Sequence, residues 1–266
     1  MHLTIDGAGV YAHTGGRKFD ADRPVALFVH GAGLDHTVWA LQARYVAHHG
    51  FSVLAPDLPG HGRSDGKPLG SIEAIAGWIA TLLDAVGAKQ AALIGHSMGA
   101  VSCLEAAARQ PGRAAKLILC GTASRMPVHP ELIAAAEKDP ALAREMIVDW
   151  AHGARGRIGG NRAAGLWIAE TARRLLDVAG GSFALACDLK ACDAYKNGEA
   201  AAAKVACPAL AIIGAEDRMT PAKAGRALAG AIKGAALVEL EDCGHMMMVE
   251  QPDRTLAAMK KFLGAR

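Results

Sequence analysis

The pentapeptide Gly95-His96-Ser97-Met98-Gly99, directly behind the apolar run Ala91-Ala92-Leu93-Ile94, constrains this chain more than any other stretch. The apolar run predicts a buried strand, and the residues behind it predict a helix over 98–109 that Pro111-Gly112 stops. A strand that passes into a helix within so few residues needs a very tight turn. Glycines at 95 and 99 remove the side chains that would collide with neighbouring backbone. The serine between them is then held in a strained conformation with its Oγ thrust outward.

The rest of the chain repeats this strand-then-helix rhythm. Short β-branched or aliphatic runs at 25–30, 51–56, 116–120, 209–213 and 236–240 read as strands. Longer periodic stretches at 37–49, 72–86, 221–232 and 253–263 read as helices, the second of them with Ile72, Ile75, Ile79, Leu82, Leu83 and Val86 at helical spacing. Such alternation predicts an α/β fold, a mostly parallel central sheet with helices on both faces. After Gly121 the rhythm breaks. From 126 to 204 the sequence is Ala-rich and helical, interrupted by Pro127, Pro130, Pro140, Gly153 and the pairs Gly159-Gly160 and Gly180-Gly181, without a strand candidate. The expected organisation is a core domain built from 1–124 and 205–266, with 125–204 inserted as a helical cap subdomain.

Composition removes several classes of function. With 266 residues, 52% hydrophobic and 21% charged, the chain can bury a substantial core and leaves little room for disorder. A net charge of only +3, with no basic stripe interleaved with aromatics, argues against a nucleic-acid partner. Six cysteines without a CxxC pair or a Cys/His metal spacing read as free buried thiols, so neither a metal nor another cofactor is expected. The first residues lack the basic and apolar stretches of a secretory signal, and no apolar run approaches the ~18 residues of a membrane span. A cytoplasmic protein without a membrane partner, monomeric or homodimeric, is the expectation.

A serine hydroxyl is a weak nucleophile at neutral pH; it needs a base to take its proton and a third group to orient that base. Asp217, in Gly214-Ala215-Glu216-Asp217, follows the strand at 209–213, and His245, in Cys243-Gly244-His245, follows the strand at 236–240. Serine, acid and histidine thus follow one another along the chain, the last two each directly behind a late strand. Glu216, Glu241 and Asp242 compete with Asp217 for the acid role, whereas the loop at 121–125 contains no carboxylate. Of the eleven histidines, His96 reads as a neighbour packed under the turn and His61 as a structural member of a Gly-rich loop. Met98, first in its helix, offers a backbone N–H to an oxyanion.

Five ordered motifs resemble those of the α/β-hydrolase superfamily. They are His30-Gly31-Ala32-Gly33, the run from Asp57 through Gly60-His61-Gly62 to Ser64, the pentapeptide at 95–99, Gly214 to Asp217, and Gly244-His245 with Glu250-Gln251-Pro252 behind it. The resemblance runs nearly the length of the chain and is weakest at 126–204. It implies a Ser97–Asp217–His245 triad and an oxyanion hole completed by the N–H of Ala32, with Gly33 as the less favoured donor. A serine rather than an aspartate at position 97 implies an acyl-enzyme, hence esters, lactones or thioesters rather than halides or epoxides.

The segments at 30–64 and 187–193 are similar to bacterial carboxylesterases and to 3-oxoadipate enol-lactonases. The resemblance therefore implies a carboxylesterase acting on small or medium esters, with a lactonase as the alternative. A noncatalytic ligand-binding member of the fold is the second alternative. The partner is a small-molecule ester or lactone. Trp150, Trp167, Ile168, Met126 and Met146 either line an acyl pocket or form the cap's own core, and Arg155, Arg157 or Arg162 either clamp a substrate carboxylate or lie solvated on the surface.

Overall fold

The computed structural model describes residues 1–154, 168–178 and 181–265. Eight strands form one sheet: β1 (His2–Ile5), β2 (Ala8–His13), β3 (Val25–Val29), β4 (Ser52–Pro56), β5 (Ala91–His96), β6 (Ala114–Cys120), β7 (Ala209–Gly214) and β8 (Ala236–Leu240). Their order across the sheet is β1-β2-β4-β3-β5-β6-β7-β8. From β4 to β8 every pairing is parallel, whereas β1 pairs antiparallel with β2, and β2 antiparallel with β4. The sequence reading did not include this opening hairpin.

Strands β3, β4, β5 and β7 are buried along their whole length, as expected of parallel strands covered on both faces. The period-two alternation of side chains splits them between two cores. On β3, Val25, Leu27 and Val29 join one cluster with Ile75, Leu82 and Leu104, while Ala26 and Phe28 join another with Trp39, Val46 and Met259. Helices α2 (Ile72–Ala85) and α3 (Met98–Arg109) supply the first face. The second is covered by α1 (Ala40–His48), entered through a short 3-10 turn at His36–Trp39, and by the last helix of the chain.

Between β6 and β7 the described residues form helices and no strand: α4 (Pro130–Lys138), α5 (Pro140–Ala151), α6 (Ile168–Val178), α7 (Gly181–Ala194) and α8 (Gly198–Lys204). Pro130 and Pro140 sit in the first turns of α4 and α5, where a missing N–H costs no hydrogen bond. This segment has a small core of its own, centred on Leu132, Ala136, Ala143, Leu185 and Leu189. The chain closes with α9 (Ala222–Ala231), a single turn α10 (Met247–Glu250), and α11 (Pro252–Leu263). All six cysteines are free thiols. Among the described residues, no helix is long and apolar enough to cross a membrane.

Candidate active site

Ser97 sits between β5 and α3 with φ 52° and ψ −118°. This is a conformation that an L-residue adopts at a cost on the order of 1–3 kcal/mol. Its N–H donates to the Cys120 carbonyl on the neighbouring strand at 2.9 Å, which fixes the turn from one side. The flanking glycines fix it from the other. A Cβ on Gly95 would strike the Gly99 carbonyl, and a Cβ on Gly99 would strike the carbonyls of Val29 and His30. The loop after β3 therefore lies directly against the turn: a Cβ on Gly31 would be 3.2 Å from the Cβ of Ser97.

Asp217 and His245 arrive from the ends of β7 and β8, and Asp217 Oδ2 lies 2.8 Å from His245 Nδ1. A carboxylate can only accept, so Nδ1 carries a proton, and in the neutral ring it is Nε2 that keeps the lone pair. The other bonds of Asp217 hold it in place. Its Oδ1 accepts the backbone N–H groups of Met219 and Thr220, each at 2.8 Å, and its Oδ2 accepts the Thr220 hydroxyl. Burial pushes the Asp217 carboxyl up, but attraction to His245 and these hydrogen bonds outweigh it and hold the group below its ordinary value. Of the competing acids, Glu216 instead accepts the Ala154 N–H at 2.7 Å, and the backbone carbonyls of Glu241 and Asp242 accept from Gln251.

His96 Nε2 donates to the carbonyl of His245 at 3.0 Å, and the two rings lie 4.6 Å apart. Burial first, and the neighbouring His245 second, push the His96 pKa well down, so this ring stays neutral. The His245 loop is held further by its backbone. Its N–H donates to Ala151 at the end of α5 at 2.7 Å. Glu250, buried behind it, accepts from Gly244, Met246 and Gly153.

The sequence profile of the alpha/beta hydrolase family matches residues 26–258, which include every one of these groups. The chain belongs to the alpha/beta hydrolase family. It is 30% identical to a pimeloyl-[acyl-carrier protein] methyl ester esterase of Aromatoleum aromaticum over 87% of this chain and 95% of that one. Among solved structures, the enol-lactonase from Burkholderia xenovorans LB400 superposes with a TM-score of 0.87 at 26% identity, covering 99% of this chain and 100% of the other. A thermophilic esterase from Thermogutta terrifontis, with malate bound, superposes with a TM-score of 0.84 at 25% identity, covering 99% and 97%.

In this hydrolase, Ser97, His96 and His245 line a cavity of about 320 Å³. Its walls are mostly apolar and come largely from the helical segment, with Leu132, Ile147, Trp150, Leu176 and Leu189 prominent. Met126 and Trp150, expected at a pocket, are among the lining residues. Met146 is not: it packs with Trp150 against the helical segment's own core, facing α4 and α7. Trp167, Arg155, Arg157 and Arg162 lie outside the described residues.

Ala32 also borders the cavity, whereas the N–H of Gly33 already donates to Asp188 Oδ2 at 2.9 Å. Asp188 and Glu250 stood in the sequence only within the family-like segments 187–193 and Glu250-Gln251-Pro252, with no role assigned to either. A tether of this kind carries no local pattern.

Among the described residues, Asp35, His36 and Asp57 bring potential metal-ligand atoms together. These atoms already serve the fold. Asp57 Oδ1 accepts the His36 N–H and meets His36 Nδ1, Asp57 Oδ2 accepts the Arg63 N–H, and Asp35 Oδ1 caps the 3-10 turn through Thr37.

Proposed function

We propose that this protein is a serine carboxylic ester hydrolase that works through an acyl-enzyme. The observation that carries the reading is the 2.8 Å contact of Asp217 with His245 Nδ1, at a cavity that Ser97 shares. With Nδ1 protonated, His245 Nε2 is the base. It takes the Ser97 proton as Oγ attacks the ester carbonyl, and Asp217 stabilises the imidazolium that forms. The tetrahedral oxyanion is received by the N–H of Met98, at the open end of α3, and by the N–H of Ala32. Donors of this kind are worth ~3 kcal/mol each in other enzymes. As the C–O bond breaks, His245 returns the proton to the leaving alcohol. Water, deprotonated by the same histidine, then attacks the acyl-enzyme and frees the acid and Ser97.

The β6–β7 segment acts as the cap, and its apolar wall, with Met126 and Trp150, receives an uncharged acyl or alcohol group. Among the lining residues, Arg218 could meet a substrate carboxylate, as an enol-lactone acid would require, but it already pairs with Asp149 at 3.2 Å. This favours neutral esters. The likeness to an enol-lactonase keeps a lactone as the second reading.

The decisive experiment is a panel of p-nitrophenyl esters and lactones assayed with the native protein and Ser97→Ala. Ester turnover that disappears in the variant, together with fluorophosphonate labelling of Ser97 in the native protein, is the expected result. Turnover retained by Ser97→Ala overturns the mechanism, lactones hydrolysed in preference to esters select the second reading, and absence of labelling and turnover points to a ligand-binding member of the fold.

A further inference from the structure

Asp188, on α7, is buried, and its Oδ2 meets two groups of the core: His61 Nε2 at 2.8 Å and the N–H of Gly33 at 2.9 Å. His61, in the loop after β4, is equally buried, and its Nδ1 lies 3.0 Å from the carbonyl of Pro59. Against an ionised Asp188, both ring nitrogens face atoms that can only accept. Both therefore carry protons, and His61 is an imidazolium.

The ring beside it is different. His30 lies 5.1 Å from His61; its Nε2 accepts the Leu58 N–H at 3.0 Å and its Nδ1 donates to the Gly31 carbonyl at 2.9 Å. That pattern fits only the neutral tautomer. Burial, with the His61 charge as the next cause, pushes the His30 pKa down to about 3. Burial works against the His61 charge too, but the hydrogen bond and charge of Asp188, the Pro59 carbonyl and the more distant Asp57 raise it above the ordinary histidine value. The groups facing His61 are thus Asp188 from α7, Asp57 from its own loop and His30 from the end of β3.

We propose that the His61–Asp188 pair positions the oxyanion hole: Asp188 reaches down from the helical segment to hold the Gly33 N–H, and a protonated His61 holds Asp188 there. Because Ala32 immediately precedes Gly33, its N–H is aimed only while this tether is intact. The inference rests on the ester-hydrolase reading and adds an alkaline limb to it. When His61 gives up its Nδ1 proton, a lone pair faces the Pro59 carbonyl and the charge that holds Asp188 is gone, so the tether loosens and kcat/KM falls.

Three variants of the full chain test this. In Asp188→Ala the Gly33 N–H and His61 lose their shared acceptor, and kcat is expected to fall on the order of 10²-fold with KM little changed, the signature of a misaimed oxyanion donor. His61→Gln still offers an N–H to Asp188 but cannot titrate, so the alkaline limb is expected to vanish. Asp188→Asn keeps one oxygen that accepts both donors, as Oδ2 does, and kcat is expected to recover above that of Asp188→Ala.

NMR of the imidazole nitrogens of the native protein at pH 7 is expected to find both His61 nitrogens protonated, a readout independent of turnover. An unchanged kcat in a folded Asp188→Ala, an alkaline limb that survives His61→Gln, or a neutral His61 overturns the proposal. Should Asp188→Ala not fold, the His61→Gln profile and the NMR spectrum decide. A native protein that hydrolyses neither esters nor lactones would instead overturn the function, and the NMR result would still stand or fall alone.

Discussion

Glu250 Oε2 accepts the backbone N–H of Gly153 at 2.8 Å, tying the end of α5 to the loop that carries His245. The same oxygen accepts from Gly244 at 3.1 Å and the other carboxylate oxygen from Met246 at 3.1 Å, so a single buried side chain gathers three donors. The loop on either side of His245 is fixed by a group that does not line the cavity.

Glu250→Gln has only one oxygen to offer these three donors. At least one N–H is left facing an amide nitrogen, which costs about 1–3 kcal/mol. At roughly 2–4 °C per kcal/mol for a chain of this size, a melting temperature several degrees lower is expected, with kcat reduced more than KM is raised. A calorimetric scan and steady-state kinetics check both; a variant with native melting and native kcat would remove Glu250 from any positioning role.

Asp217→Asn is expected to reduce kcat/KM on the order of 10³- to 10⁴-fold, as in other triads, because the amide favours the wrong histidine tautomer. Its effect on stability depends on pH with a definite sign. The folded Asp217 carboxyl titrates below its unfolded value, so its contribution is complete above the ordinary carboxylate range and is lost as pH falls through the lowered folded value. The native protein is therefore expected to melt above the variant at neutral pH, with the gap closing in acid. Denaturation curves from pH 7 down to pH 3 check this, and a gap that widens in acid would contradict it.

Ser97→Gly and Ser97→Ala both remove the nucleophile but differ in backbone strain. Alanine keeps the positive φ of Ser97, whereas glycine takes that conformation freely. Offset by the greater freedom of glycine in the unfolded chain, the difference is expected to leave the Gly variant more stable by roughly 1 kcal/mol. Urea denaturation of the two inactive proteins measures it directly. A Gly variant less stable than the Ala variant would mean that the elbow is not strained.

The parallel strands were legible because each is a short aliphatic run bounded by turn residues, and Asp217 and His245 were legible as polar residues immediately behind two such runs. The opening hairpin was missed although it has a signal: Asp6-Gly7, both at positive φ, between the alternating pairs Leu3/Ile5 and Val10/Ala12. Met146 and Trp150 fall one helical turn apart on α5, and periodicity could not say which of them reaches the cavity. Asp188 stood in the family-like segment 187–193, but its role lay beyond reach for another reason. Its partners stand 127 and 155 residues away, and nothing local in an alanine-rich helix announces contacts of that range.

The helical segment leaves from β6 and returns to β7, two strands that are hydrogen-bonded neighbours. Its ends therefore meet at a narrow stem, where Gly198 packs against the main chain of Ser124, and its length is free to drift in evolution without disturbing the sheet. Its interior is less free. Through Asp188, Gly153 and the carbonyl of Ala151, the segment grips the loop of Gly33 and the loop of His245. A segment grafted from a relative to change substrate choice would have to bring equivalent grips with it, so transplants that match only the cavity wall will trade catalytic power for their new selectivity.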